Sequence, residues 1–338
     1  MRPDARATLI AALLVVFAAG IGLNVGARAR PTPTPAPPSP TEIALPSATP
    51  VDPAEAQRRA LAQPLSSGCA TDKAVWVFSD GGAVIRFDGE RWTIPDPTLR
   101  SLSAAACRGG LGLAVGPAGG LLTVDDDARA VRVDRYGTDD LRGVAFTFSG
   151  AIAVGAAGTV IVQTDLDWHP LGIRGGEDLL GVSASAQRLL PPGRTQAWAV
   201  GAGGAAYRLV DFAWERVPVP TTATLRAVVV QDEAAMAVGD GGTIVRYASG
   251  GWSETASGTT SSLRAVALVG PATAWAVGDG GTVLEIAGDA AHRVDLGTAC
   301  TLRAVFTQSA AIWVVGSDGA RGGIWRVTPT GTDRWGGC

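Results

Sequence analysis

Short runs of apolar and β-branched residues, many of them alternating with polar positions, recur along residues 65–335, and glycine-rich turns separate them. Such runs are typical of strands, because a strand points successive side chains to opposite faces and ends at a turn after a few residues. Residues 274–286 read AWAVGDGGTVLEI, and 39 positions earlier residues 235–247 read AMAVGDGGTIVRY. The pattern therefore predicts an all-β domain that is built from an internal repeat.

The glycine of the AVG sequence marks the copies of this repeat. Seven markers follow one another at intervals of 37 to 46 residues: Ser79, which takes the place of the glycine in the first copy, Gly116, Gly155, Gly201, Gly239, Gly278 and Gly316. Each copy opens with LR or a similar pair, runs through an apolar stretch to the marker, turns at a segment such as DGG, and adds two more strands. Four strands in about 40 residues is the size of a propeller blade. The sequence predicts a seven-bladed β-propeller of four-stranded blades.

The recurrence of the repeat has a simple physical cause. One four-stranded blade has two apolar faces and cannot bury both, whereas blades stacked around an axis bury each face against a neighbour. The AWAV stretch is apolar throughout because an inner strand is covered on both sides. We expect the marker glycine to make a sharp turn with positive φ, which glycine tolerates.

The first thirty residues differ from the repeats. Residues 7–27 are uncharged and consist mostly of Ala, Leu, Val, Ile and Gly, and about 20 such residues suffice for a helix that spans a membrane. Residues 1–30 are therefore predicted to be a signal anchor with one apolar helix or, because ARA at 27–29 is a suitable small-residue cleavage site, a cleaved signal peptide. The length of the apolar stretch favours the anchor.

Residues 31–64 are rich in proline and threonine and are predicted to be an extended linker. No regular structure is expected in residues 31–53, and a short helix is expected in residues 54–63. The propeller, residues 65–338, is then extracytoplasmic. It is membrane-anchored if the apolar helix is retained, and secreted if the helix is cleaved.

The composition argues against several classes of function. The net charge of -3 gives no support for nucleic-acid binding, which needs a basic surface. The chain has two histidines and three tyrosines, and their spacing provides neither a metal site nor a catalytic set. The Asp run at 125–127 lacks the spaced ligands and the closing Glu of a calcium loop. We therefore predict no enzyme activity, no cofactor and no metal site.

The copy LRAVALVGPATAWAVGDGGTVLEI, residues 263–286, resembles the repeat of the photosystem II assembly and stability factor family. Members of that family are seven-bladed propellers whose repeats are related to the Asp-box repeats of sialidases. The resemblance extends over about residues 65–335 and implies a non-catalytic assembly factor for a membrane complex. A sialidase-like site would need a tyrosine nucleophile, an arginine cluster and acids. The three tyrosines of this chain are expected on the outer parts of their copies, away from the axis.

An arginine follows the leucine that opens several copies, and the turn after the marker often carries an aspartate. The arginines are Arg100, Arg142, Arg226, Arg264 and Arg303, and the aspartates are Asp80, Asp240, Asp279 and Asp318. Propeller topology places both sets on one face of the ring. Two interpretations are open: an Arg–Asp ladder in which the charges satisfy each other, and an arginine-rich face that binds an anionic partner. Copies two and three lack the aspartate, so the binding face is predicted to be centred on Arg100 and Arg142, both unpaired and exposed.

Four cysteines, Cys69, Cys107, Cys300 and Cys338, form an even set in a chain that is predicted to be exported, so disulfides are permitted. Cys69 and Cys107 take nearly equivalent inner-strand positions in adjacent copies, and Cys300 and Cys338 open and end the last copy on one face. These positions favour the pairs Cys69–Cys107 and Cys300–Cys338, of which the second would pin the last copy where the ring closes. Four free, buried thiols are the alternative.

The leading functional prediction is a non-catalytic extracytoplasmic propeller that acts as a protein-binding scaffold and helps to assemble a membrane complex. Its partner is expected to be a protein, and the membrane is reached through residues 7–27. One alternative is a cell-surface module that binds glycan or another small anionic ligand. The other alternative is a glycoside-hydrolase-like enzyme.

Overall fold

The structure is a computed structural model that describes residues 42–43, 55, 58, 61–94, 101–126, 131–164, 167–173, 176–185, 195–270 and 272–338. Residues 40–338 group as one compact unit. Residues 7–27, for which the sequence predicts an apolar helix, lie outside the described residues. Among the residues that are described, no helix is long and apolar enough to cross a membrane.

Seven antiparallel sheets form seven blades, and each blade takes four consecutive strands of the chain. Strand β1 (Glu42–Ile43) is added to the outer edge of blade 2; blade 1 contains β2 (Leu65–Ala70), β3 (Val75–Ser79), β4 (Val84–Phe87) and β5 (Trp92–Thr93), and blade 2 contains β6 (Ala104–Arg108), β7 (Leu111–Gly116), β8 (Gly120–Asp125) and β9 (Val131–Arg135). Blade 3 contains β10 (Leu141–Phe146), β11 (Ala151–Gly155), β12 (Val160–Thr164) and β13 (Asp167–Pro170), and blade 4 contains β14 (Leu179–Ala184), β15 (Thr195–Gly201), β16 (Ala206–Val210) and β17 (Ala213–Arg216). Blade 5 contains β18 (Leu225–Gln231), β19 (Ala234–Gly239), β20 (Ile244–Ala248) and β21 (Gly251–Glu254), blade 6 contains β22 (Leu263–Leu268), β23 (Thr273–Gly278), β24 (Val283–Ala287) and β25 (Ala290–Arg293), and blade 7 contains β26 (Thr301–Gln308), β27 (Ala311–Ser317), β28 (Gly322–Thr328) and β29 (Gly331–Gly336). The predicted seven-bladed β-propeller is confirmed.

The first strands of the blades form the inner wall of the ring. Each first strand contacts the first strand of the next blade, and β26 of blade 7 contacts β2 of blade 1, which closes the ring. Blade 1 takes its four strands from residues 65–93 and blade 7 takes its four from residues 301–336, so no strand is exchanged between these two blades. The seam between blades 7 and 1 therefore depends on side-chain packing.

The apolar core is divided into seven clusters, one between each pair of adjacent blades. The second strands supply its most fully buried side chains. In β3 of blade 1, Trp76 packs towards blade 2, whereas Val75 and Val77 pack towards blade 7. Both faces of the second strand are thus covered, as the AWAV pattern predicts.

Aromatic side chains from both sides of the seam form one continuous cluster. Trp313 and Trp335 of blade 7 stack with their ring centroids 5.7 Å apart. From blade 1, Phe87 lies 5.8 Å from Trp313, and Trp92 lies 5.8 Å from Trp335. The outer strand of blade 7 therefore contributes directly to the closure of the ring.

The marker glycines end the second strands, but the positive φ expected for them is wrong. Gly239 and Gly278 have φ values of -165° and -168°, which is extended backbone. A Cβ on Gly278 would instead lie 2.0 Å from the carbonyl oxygen of Ser262. The glycine is needed because the chain that enters the first strand passes directly against its backbone. Positive φ occurs two residues later, as at Gly280 with φ 62°.

The expectation that residues 31–53 have no regular structure is also wrong in one place. Strand β1 pairs antiparallel with β9, the outer strand of blade 2, with Glu42 opposite Arg132 and Ile43 opposite Val131. The segment TEIAL at 41–45 contains no proline, and an outer strand presents a row of backbone groups with which an extended chain can pair. Residues 55, 58 and 61 are helical and lie within the short helix expected at 54–63.

Two disulfides join the four cysteines. Cys69–Cys107 connects the first strands of blades 1 and 2, and Cys300–Cys338 lies within blade 7. This is the pairing that the sequence positions favour. Cys300 directly precedes β26 and Cys338 follows β29, so the second bond ties the outer strand of blade 7 to the start of its inner strand.

Candidate functional site

The start of each first strand and the turn between the second and third strands lie at the same end of a blade. The strand register shows this, since Leu225 at the start of β18 pairs with Gly239 at the end of β19. The end of the ring that carries these features is called the arginine face below. Its described arginines at the openings of first strands are Arg142, Arg226, Arg264 and Arg303.

In blades 5 and 6 the arginine and the turn aspartate form the predicted ladder. Arg226 Nε donates to Asp240 Oδ1 over 2.5 Å, and its Nη2 donates to Oδ2 over 3.0 Å. Arg264 binds Asp279 in the same way, over 2.5 and 3.1 Å. The hydrogen bonds from Arg226 hold the pKa of Asp240 below its usual value. Both arginine charges are therefore compensated within their own blades.

In blade 3 the prediction that Arg142 is unpaired is wrong. Its Nη1 donates to Oδ2 of Asp178 over 2.5 Å, and Asp178 lies in the loop that precedes β14 of the next blade. The turn of blade 3 consists of Ala156–Gly158 and carries no acid, and the Ala157 N–H donates to the other oxygen of the same carboxylate over 2.9 Å. The Ala157 N–H, followed by Arg142, lowers the pKa of Asp178. An aspartate of blade 4 thus replaces the missing turn aspartate.

In blade 2 the predicted arginine position is wrong as well. The first strand is opened by Leu102 and not by Leu99, because Leu102 stands 14 residues before its marker, the same interval as in blades 1, 3, 5 and 7. The Cα of Leu102 lies beside Gly116, and its side chain is buried. Ser103 therefore takes the place of the arginine. Arg100 lies three positions earlier in the chain, outside the described residues.

In blade 7 the expected partner of Arg303 is displaced. The ladder between β27 and β28 continues past the marker Gly316, so Ser317 stays in the ladder opposite Gly322. Asp318 lies beyond the ladder, where Oδ1 accepts hydrogen bonds from the N–H groups of Ala320 and Arg321 and Oδ2 pairs with the Arg321 guanidinium at 3.2 Å. Arg303 is half-buried, and its Nε has no hydrogen-bond partner among the described residues.

Blades 1 and 4 have no arginine at this position. Ser66 takes its place in blade 1 and donates a hydrogen bond to the Phe78 carbonyl over 3.1 Å, and Leu180 takes its place in blade 4. Blade 1 keeps the turn aspartate, Asp80, without an arginine of its own. The arginine face is therefore a partial ring in which the charges are unevenly matched.

Arg303 is the arginine of this face that no described carboxylate neutralises. A guanidinium carries five N–H donors in a planar fork, which matches a carboxylate, phosphate or sulfate group. Burial of an unpaired charge is costly, so its outer nitrogen atoms are expected to remain at the surface. The arrangement can bind an anionic group.

Two features of the sequence indicate these pairings once the fold is known. One is the constant interval between the opening leucine and the marker, which identifies Leu102. The other is an aspartate directly before the opening leucine, as in Asp140–Leu141 and Asp178–Leu179. Asp140 accepts a hydrogen bond from the Ala118 N–H of blade 2 over 3.0 Å. Asp178 accepts the equivalent hydrogen bond from the Ala157 N–H of blade 3.

The Arg226–Asp240 pair provides a test of the ladder. At pH 7, Arg226→Ala is expected to lower the free energy of unfolding by about 0.5–1 kcal/mol, because the two side chains are 32% and 35% exposed and solvent screens the pair. The pKa of Asp240 is depressed in the fold, so this stabilisation is present above the unfolded value near 3.8 and is lost as the pH falls through the folded value. Urea titrations of both proteins at pH 7 and about pH 2 measure this difference. A difference of equal size at both pH values would assign the effect to packing.

Tyr207 and Glu177 form a hydrogen-bonded pair beside the arginine face, where Glu177 directly precedes Asp178. Tyr207 Oη donates to Glu177 Oε2 over 2.9 Å, and Arg216 lies 2.8 Å from the other carboxylate oxygen. Burial, together with the bond to Glu177, raises the pKa of Tyr207, and the side chain is 8% exposed. A tyrosine nucleophile needs a lowered pKa and access for substrate. The network therefore supports packing between blades 3 and 4.

Metal ligands do not cluster in the part of the chain that the structure describes, where no three His, Cys, Asp or Glu side chains are grouped as a metal site. His169 and His292 are exposed on the outer strands of their blades. Neither histidine lies on the arginine face as defined above.

No protein-family model matches this sequence, and no curated protein matches it. The structure is similar in fold to solved propellers. YCF48 bound to a D1 peptide has a TM-score of 0.62 at 16% identity, covering 90% of this chain and 97% of that chain. The WD40 β-propeller domain of Doa1 has a TM-score of 0.66 at 14% identity, covering 84% and 96%. YCF48 from Cyanidioschyzon merolae has a TM-score of 0.61 at 16% identity, covering 80% and 97%.

Proposed function

We propose that the protein is a non-catalytic scaffold that binds a partner protein on its arginine face, with Arg303 contacting an acidic group of the partner. The observation that carries this proposal is the uneven pairing on that face. Arg142, Arg226 and Arg264 each bind an aspartate, whereas Arg303 binds none of the described carboxylates. An uncompensated guanidinium gains most from an external carboxylate, because charge-assisted hydrogen bonds are about twice as strong as neutral ones.

The partner is proposed to be a protein that presents an acidic segment. YCF48, a propeller of similar fold, has been solved bound to a D1 peptide. The binding centre proposed here differs from the one expected from the sequence, because Arg142 is neutralised by Asp178. Helping to assemble a membrane complex is the specific role that we propose for this binding.

We further propose that the propeller lies outside the cytoplasm and is attached to a membrane by residues 7–27. Support comes from the uncharged apolar composition of that segment and from two disulfides, which persist in oxidising compartments. The part of the linker that precedes β1, residues 31–41, gives a reach on the order of 35 Å if it is extended at about 3.1 Å per residue. Such a reach would bring the arginine face to the extramembrane segments of a membrane complex.

Binding of fluorescein-labelled hexaglutamate to the full chain, followed by fluorescence anisotropy, tests the Arg303 contact. Arg303→Ala is expected to raise the Kd about tenfold, because a hydrogen bond to a charged group contributes about 1.5 kcal/mol or more. The free energy of unfolding should change by less than about 0.5 kcal/mol. Arg91→Ala is the matched control, because it removes an exposed arginine at the opposite end of a blade and should bind like the wild type.

Equal Kd values for the wild type, Arg303→Ala and Arg91→Ala would contradict the proposed contact. Binding by the wild type should also weaken as salt is added, because salt screens exposed charges. A sulfated oligosaccharide that competes with the peptide and binds more tightly would favour the alternative of a glycan-binding module.

A further inference from the structure

The Cys300–Cys338 disulfide lies on the arginine face, three residues before Arg303. Cys300 is 6% exposed and lies at the start of the inner strand of blade 7, and Cys338 follows the outer strand. The bond connects the start of the first strand of the blade to the end of its fourth strand, with the two Cα atoms 5.9 Å apart. The bond therefore lies next to the stretch of backbone that carries Arg303.

Hydrogen bonds connect this disulfide to the neighbouring blade. The Cys300 carbonyl accepts a hydrogen bond from the Gly281 N–H over 2.8 Å, and Gly281 ends the turn Asp279–Gly281 of blade 6. Thr298 Oγ1 donates to the Cys338 carbonyl over 3.3 Å and accepts from the Cys300 N–H over 3.2 Å. The disulfide, the loop before β26 and the turn of blade 6 therefore form one connected unit.

The arginines of this face are held in place by different means. The guanidinium groups of Arg226 and Arg264 are each fixed by two hydrogen bonds to an aspartate. Arg303 has no such bonds within the described residues, so its position depends on the backbone that carries it. In blade 7 a covalent bond fixes that backbone at Cys300. A binding group that is fixed in advance loses less conformational entropy on binding.

We propose that the Cys300–Cys338 disulfide is a redox latch that holds Arg303 in its binding position, which rests on the proposed binding at Arg303. A dithiol reductant would open the latch. One thiolate of the reductant attacks the sulfur of one cysteine, forms a mixed disulfide with it and releases the other cysteine as a thiolate. The second thiolate of the reductant then attacks the reductant sulfur of the mixed disulfide and displaces the first cysteine. Two electrons and two protons convert the disulfide to two thiols while the reductant becomes a disulfide. The loop before β26 then loosens, and affinity for the acidic partner falls.

The second disulfide of the chain provides a matched control. Cys69 and Cys107 lie near the ends of β2 and β6, away from the arginine face. Both disulfides span a sequence separation of 38 residues, so their removal relaxes chain loops of the same length. An effect of general destabilisation would appear when either disulfide is removed. An effect of the latch would appear only when Cys300–Cys338 is removed.

The test compares the full chain with the double variants Cys300→Ala/Cys338→Ala and Cys69→Ala/Cys107→Ala, each checked for folding by circular dichroism. Hydrogen exchange of the segments around Gly281 and residues 298–303 should be at least tenfold faster in the first variant than in the second, which carries the same loss of global stability. The Kd for hexaglutamate should rise at least threefold in the first variant only. The same measurements on Arg303→Ala show whether the proposed function itself holds.

Unchanged exchange in residues 298–303 of Cys300→Ala/Cys338→Ala would overturn the latch, whatever the binding result. Faster exchange with an unchanged Kd would also overturn it, because the loop would then not control binding. If Arg303→Ala binds like the wild type, the proposed function fails and the latch fails with it. If Arg303→Ala weakens binding while the disulfide variant does not, the proposed function stands and the latch alone is wrong.

Discussion

Replacing Trp313 with alanine is expected to lower the free energy of unfolding by about 3–5 kcal/mol, the usual range for a fully buried tryptophan. The side chain is 1% exposed and lies at the seam between blades 7 and 1. It stacks on Trp335 and contacts Phe87 of blade 1. Because no strand crosses this seam, removal of the indole side chain removes packing that no hydrogen bond of a strand ladder replaces. Guanidinium unfolding of wild type and variant measures the loss.

Trp198→Ala is the control for the position of the seam. Trp198 is 0% exposed, and its ring centroid lies 4.6 Å from that of Tyr247 and 4.9 Å from that of Trp252, between blades 4 and 5. A loss of similar size is expected there, because the buried area is similar. Hydrogen exchange should rise in blades 1 and 7 for Trp313→Ala and in blades 4 and 5 for Trp198→Ala. A loss below about 1 kcal/mol at Trp313 would contradict the packing described for the seam.

Removing either disulfide is expected to lower the free energy of unfolding by about 4 kcal/mol, because each bond closes a loop with a separation of 38 residues. The stabilisation comes mainly from the reduced conformational freedom of the unfolded chain, so the two double alanine variants should lose similar amounts. Guanidinium unfolding of the oxidised wild type and both variants measures these losses. A loss below about 1 kcal/mol for either pair would show that the chain-entropy argument does not apply to that bond.

The repeat could be predicted from the sequence because one packing problem recurs in every blade. The apolar runs, the markers and the turn residues each reflect burial between neighbouring blades, and burial depends on residue type in a way that a sequence pattern retains. The role of the marker glycine could not be predicted in the same way. Its requirement comes from the backbone that passes against Gly278, and an approach of two chain segments leaves no local pattern.

The charge pairs of the arginine face were harder to predict, because they depend on single-residue differences in register. Asp178 neutralises Arg142 from the next blade, which no spacing within one copy indicates. In blade 7 the ladder continues past the marker, Asp318 stands two residues after Gly316 instead of one, and its carboxylate pairs with Arg321. The presence of a charged face could be predicted, and the identity of its unpaired arginine required the structure.

The most direct measurement of the central claim is the Kd of hexaglutamate for Asp279→Asn. This change removes the negative charge that pairs with Arg264 in blade 6, next to the blade of Arg303, while it keeps the side-chain size. If acidic groups bind here through uncompensated arginine charge, the Kd should fall at least about twofold, since two charges about 8 Å apart in water interact by about 0.5 kcal/mol. A Kd that is unchanged or higher in the folded variant would contradict binding of an acidic partner on the arginine face.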